Sequence, residues 1–160
     1  MITSSKEARD LRIIDHKHII IFFSLWFCLG NISRLEAQNI WPSLSQVTYK
    51  KVKDELLGFD VDYPIFGPEL KAMDGKLVRV KGYIIPTDGY KSHKEFVFSA
   101  YPYKNCYFCG GAGPETVMEV QSRKGIPFTS EKIELQGILR LNSFDLNRLM
   151  FLLTDAEPVP

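Results

Sequence analysis

The chain has 160 residues, with 20 Lys and Arg against 19 Asp and Glu and 45% hydrophobic residues, which fits a single domain with a core of its own. Near neutrality gives no electrostatic footprint for nucleic acid, which usually asks for a basic face, and does not suggest an anionic membrane surface. No internal repeat or low-complexity tract is present, and no apolar run reaches the length of a membrane span.

Ile19 to Leu29 form an apolar run of about 11 residues, too short for a bilayer and the right length for the centre of a signal peptide. Basic residues Arg9, Arg12 and Lys17 precede the run and Leu35-Glu36-Ala37 comes after it. Residues 1–37 therefore read as a cleaved signal peptide, cut before Gln38, with an uncleaved anchor as the alternative. Phe27 ahead of Cys28 is too bulky for a lipid-attachment cysteine. Export, with the periplasm as destination, would leave a domain of 15 basic and 15 acidic residues.

Residues 38–67 read as an N-terminal extension: a leading strand around Val47 and Tyr49, then a polar stretch from Lys50 to Asp62. Asp60 and Asp62 are taken as solvated acids. Pro68 to Asp74 predicts a short helix, with proline in its first turn and Gly75 as its stop. Beyond it the period becomes two. Val78, Val80, Gly82 and Ile84 share one face of a strand whose other face carries Arg79 and Lys81. Gly82 marks a bend in that strand. Phe96, Phe98 and Ala100 alternate next, then Thr116, Met118 and Val120, then Ile133, Leu135, Gly137, Leu139 and Leu141. Phe151-Leu152-Leu153 gives the last strand, and Asn142 or Ser143 is expected to cap a short helix running to Met150. The fold class is mainly β: over residues 68–160, a small antiparallel OB-like barrel of about five strands with one or two short helices. A β-sandwich is the alternative.

The chemistry concentrates in Cys106-Tyr107-Phe108-Cys109 and the adjoining Gly110-Gly111-Ala112-Gly113-Pro114. Two thiols three apart can clasp one metal ion or each other. Glycine after the second cysteine permits positive φ and lets backbone N–H groups curl toward the sulfurs, which is how metal-binding knuckles are built. Gly110, Gly111, Gly113 and Pro114 are read as shaping this loop. A redox Cys-x-x-Cys instead wants a helix start behind its first thiol, and this glycine-rich sequence is a poor one.

A closed tetrahedral zinc site needs two further ligands. His93, the single histidine beyond residue 37, and Glu115, just after Pro114, are the candidates within one chain. Alternatively two chains could each offer a cysteine pair across a homodimer. Tyr101, Tyr103, Tyr107 and Phe108 give the loop an aromatic surface, read as core packing or as a platform for a ligand or partner. Hydrolase chemistry has little support: no Gly-x-Ser-x-Gly setting is present, and no glycine-rich loop leads into the lysine and helix of a phosphate site.

The succession Val78 to Pro86, Cys106 to Glu115 and Gly137 to Asn142 resembles an uncharacterised family of exported bacterial proteins with an OB-like barrel. That resemblance covers most of the chain after residue 37. It implies export, the barrel, and an accessory role beside a metal-uptake transporter, and it brings no catalytic residue with it. The expected function is a non-enzymatic exported module holding zinc or another thiophilic transition metal through Cys106 and Cys109. The alternatives are an interaction barrel whose loop is closed by a local Cys106–Cys109 disulfide and, behind it, a thiol–disulfide oxidoreductase. The partners expected are a second copy or a transport-associated protein, with no nucleic acid and no membrane span once the signal is cut.

Overall fold

The structure is a computed structural model that describes residues 39–53, 55, 58–86 and 92–159, the side chains of 92 and 93 excepted. The expected signal peptide, Cys28 and the cut before Gln38 lie outside the described residues.

Two short helices, α1 (Trp41–Leu44) and α2 (Pro68–Met73), flank a hairpin of β1 (Thr48–Lys53) and β2 (Asp60–Ile65). Five longer strands come next: β3 (Leu77–Ile85), β4 (Ser92–Ser99), β5 (Val117–Pro127), β6 (Ile133–Leu141) and β7 (Phe151–Pro158). They close into a barrel in the order β3-β4-β5-β7-β6, with β6 returning to pair with β3. This is a closed, mainly antiparallel, five-stranded barrel.

One pair departs from the expected antiparallel sheet. β5 and β7 run parallel, Glu119 opposite Leu152 and Val120 opposite Leu153. The chain leaves β5, runs β6 along the far edge and returns, so β7 enters beside β5 in the same direction and seals the cylinder. Sealing removes both free edges that an open sheet would expose.

The period-two pattern sets the interior. Val80, Ile84, Phe96, Phe98, Met118, Val120, Leu135 and Leu139 are all buried in one apolar cluster, as the alternation predicts. Gly82 sits where β3 crosses β4. A Cβ there would run into the carbonyl oxygen of Ser99 and come within 2.8 Å of the Phe98 ring, so only glycine lets the strands approach this closely.

Described residues of the N-terminal extension pack on the barrel. Ile40, Trp41, Leu44, Val47 and Phe66 join the barrel's own cluster, and the Trp41 indole donates to the carbonyl of Lys81 at 2.8 Å. The leading strand near Tyr49 exists as β1, but the polar stretch after it doubles back as β2. The register sets Lys51 opposite Asp62 and Lys53 opposite Asp60, so that unlike charges meet across the ladder.

The helix expected from Asn142 or Ser143 to Met150 is absent. Asn142 does act at the chain's turning point, though as a loop organiser. Its side-chain oxygen accepts from the backbone N–H groups of Phe144 and Asp145, and its amide nitrogen donates to the carbonyls of Asp145, Arg148 and Leu149. An asparagine that satisfies three carbonyls itself removes the need for the helical ladder that would otherwise satisfy them. α2 matches its prediction, ending before Gly75 at φ +73°. No helix among the described residues is long and apolar enough to cross a membrane.

Candidate functional site

Between β4 and β5 the chain leaves the barrel for residues 100–116 and makes three short 3-10 turns: Tyr103–Asn105, Tyr107–Cys109 and Pro114–Thr116. The two cysteines bracket the second turn. The carbonyl of Cys106 accepts from the N–H groups of Cys109 (3.1 Å) and Gly111 (3.2 Å), and Gly110 N–H donates to the Tyr107 carbonyl at 3.0 Å. This winds the chain once around Cys106 and brings the two sulfurs to 4.0 Å.

Two glycines make the winding possible. Gly110 lies at φ +77°, left-handed backbone that side chains other than glycine rarely adopt. Gly111 packs flat on Asn105, where a Cβ would meet three main-chain atoms at 2.8 Å. Farther on, Gly113 leaves room for the Glu115 carboxylate, and Pro114 opens the third turn, in which the Thr116 hydroxyl donates to the Gly113 carbonyl at 2.6 Å.

The two thiols differ in environment. Cys106 is wholly buried and Cys109 is exposed, both as free cysteines. Desolvation, and then the neighbouring Cys106 thiol, push the Cys109 thiol above its ordinary value, against a lowering contribution from Tyr103. A thiol-exchange nucleophile needs the opposite shift.

Around the knuckle, Tyr101, Tyr103, Tyr107 and Phe108 are all exposed, Tyr103 and Phe108 at 54% each. Tyr107 and Phe108 meet edge to face with ring centres 5.3 Å apart. Phe108 also overhangs a groove of about 420 Å³ on the outer wall of the barrel, bounded by Glu95, Gln121 and the loop Leu146 to Leu149. Glu119 anchors that loop by accepting from the Arg148 guanidinium at 2.6 and 2.9 Å and from Leu149 N–H at 2.6 Å.

The other two expected ligands come from other elements. Glu115, in the third turn, is half-buried and directed back over Gly113. His93 lies in β4 with its main chain opposite Ile126, six residues from Ser99 at the knuckle end, about 20 Å along the strand. Its side chain lies outside the described residues, as do residues 87–91 of the loop before it. Among the described residues, no three of His, Cys, Asp and Glu gather as a metal cluster.

One participant escaped the sequence reading. Tyr49 reaches from β1 toward the knuckle, donating weakly to the Met150 sulfur at 3.8 Å. Partial burial, then the negative charges of Glu115, Tyr107 and Asp62, push its phenol up to about 12. Tyr49 thus lies within electrostatic reach of Glu115 and Tyr107 in the loop that carries the cysteines. No local pattern around Tyr49 announces this, because the contact spans more than half the described chain.

No family model matches this chain, and no curated protein matches it. Among solved structures it is similar to a DUF3299 family protein from Pseudomonas aeruginosa, at 19% identity and a TM-score of 0.45, over 58% of this chain and 67% of that one.

Proposed function

We propose that this chain is a non-enzymatic, exported, periplasmic module that binds a thiophilic transition metal, zinc in the first instance, through the thiolates of Cys106 and Cys109. The observation that carries the reading is the sulfur separation. Two thiolates on one tetrahedral zinc at about 2.3 Å each stand about 3.8 Å apart, and the glycine-shaped turn holds these two at 4.0 Å. A disulfide requires roughly 2 Å. The exposed aromatic rim then serves as the face met by a metal-transport partner, in keeping with the accessory role that the resemblance implies.

Metal analysis of protein recovered from the periplasm without reductant or added metal tests this. The expected result is about one metal per one or two chains, lost in the Cys106→Ser, Cys109→Ser variant. A trace metal content with no free thiols would sink the proposal in favour of the local disulfide. That second reading draws on the same pair. Closing a ring over so few residues adds little stability, since the chain-entropy gain grows with loop length. Under it the double serine variant keeps its fold and loses only the stiffness of the aromatic rim.

A further inference from the structure

The hairpin of β1 and β2 has two unlike faces. Residues directly opposite each other across an antiparallel pair share a face, and successive residues alternate between faces. The register therefore gathers Tyr49, Lys51 and Lys53 with Pro64, Asp62 and Asp60 on one side, where lysines meet acids. The other side carries Thr48, Lys50 and Val52 with Ile65, Tyr63 and Val61. This second face is largely apolar, and its lysine, Lys50, stands opposite Tyr63 rather than an acid.

A groove of about 520 Å³ runs along the second face, within the size range of small-molecule sites. Val52 and Ile65 from the hairpin, the buried Phe66 and the ring of Phe144 line it. At 86%, Phe144 is the most exposed large apolar side chain among the described residues. Its ring is carried on a fixed turn, because the Asn142 side chain accepts from the Phe144 N–H at 3.2 Å. Exposed apolar side chains grouped around a hollow mark a binding surface. Among the described residues, the charged side chains lining this one are Lys50 and Lys71 of α2.

Those features select the occupant. The face of a strand offers side chains, since its N–H and C=O groups lie in the plane of the ladder. A peptide laid along it would give up backbone hydration without gaining partners, which is costly. A hydrocarbon chain has no such groups to satisfy. The lining is also concave, walled by the hairpin and by the turn at Ser143 and Phe144, whereas docking on a bilayer asks for apolar side chains that lie along one plane. We propose that this groove binds a free, single-chain anionic amphiphile of the long-chain carboxylate class. The tail lies along Val52, Ile65 and Phe144, and the ammonium groups of Lys50 and Lys71 meet the carboxylate. None of the lining residues belongs to the loop 100–116, so this site does not depend on the metal-binding reading.

The test is calorimetric titration of folded protein recovered from the periplasm with decanoate, dodecanoate, decanol and decyltrimethylammonium, each kept below its aggregation concentration. The expected result is one decanoate per chain, held about 3–10-fold more tightly than decanol, as two exposed ion pairs provide. Dodecanoate should bind about 4–15-fold more tightly than decanoate, for two more methylenes partly or fully buried. Phe144→Ala keeps the main-chain bond to Asn142, so its circular dichroism should be unchanged while decanoate binding weakens about 4–12-fold. Lys50→Gln combined with Lys71→Gln should erase the preference for decanoate over decanol. The Cys106→Ser, Cys109→Ser variant should bind decanoate like wild type, which separates failure here from failure of the metal-binding reading. Decanol or decyltrimethylammonium binding as tightly as decanoate, or a Phe144→Ala variant of unchanged affinity, would overturn the proposal. So would co-sedimentation with phosphatidylcholine–phosphatidylglycerol vesicles, or binding of a peptide alternating leucine and glutamate, in protein that takes up no monomeric decanoate. Folded protein that binds none of these probes overturns it as well.

Discussion

The barrel wall and the knuckle lie side by side in one chain and obey different rules. In the wall, each residue's place is set by its neighbours two positions away, and many side chains share the load of a common core. In the knuckle, residues 106–111 keep no period, and their shape rests on single points: one left-handed glycine, one glycine flat against Asn105, and one carbonyl accepting two N–H groups. The wall should therefore respond to mutation in stability, and the knuckle in chemistry.

The largest effect that would test this contrast comes from the wall. Phe98 is fully buried and in edge contact with Phe96, at 6.5 Å between ring centres. Phe98→Ala should cost about 3–5 kcal/mol by removing the ring and leaving a cavity beside Gly82. Urea unfolding measures it directly. A loss under about 1 kcal/mol would mean that the barrel interior is packed differently from the arrangement described.

The same contrast explains what the sequence could reveal. Alternation in Val78 to Ile84, Phe96 to Ala100 and Ile133 to Leu141 is a local record of which face is inward, so the barrel could be read without any knowledge of the partners. The parallel meeting of β5 with β7 leaves no such record, because both strands look alike whichever way they run. Asn142 was legible as a turning point but not as the centre of a loop, since a capping asparagine and a loop-organising one have the same identity and differ only in the carbonyls and N–H groups they bond. The cysteine pair and its glycines were legible by spacing. Tyr49 was not, because the electrostatic influence on it comes from Glu115 and Tyr107, residues far along the chain.

An intermediate effect should come from the knuckle itself. Gly111→Ala places a methyl group 2.8 Å from the main chain of Asn105, and backbone cannot swing aside as a flexible side chain would. The first turn and the second must separate, at about 1–3 kcal/mol of local strain. Since the strain falls outside the barrel, the expected outcome is a modest fall in melting temperature together with a large fall in metal uptake, because the sulfurs lose their spacing. Uptake equal to wild type would show that the flat packing of Gly111 does not set the sulfur separation.

The smallest expected effect concerns the seam between hairpin and knuckle. The Tyr49 phenol is raised to about 12, first by partial burial and then by Glu115, Tyr107 and Asp62, against an ordinary value of about 10. A protonated phenol favoured by the fold contributes stability that is fully present below about pH 10 and is lost as pH rises from about 10 toward 12. Tyr49 is 42% exposed, so solvent screening keeps that contribution small. Glu115→Gln removes the leading charge influence on the phenol while keeping size, and should lower its midpoint in an ultraviolet titration without moving the barrel's stability at neutral pH. If the Tyr49 absorbance, isolated by difference from Tyr49→Phe, titrates at the same pH in both proteins, then Glu115 does not face the hairpin, and the knuckle and β1 are independent neighbours rather than two sides of one site.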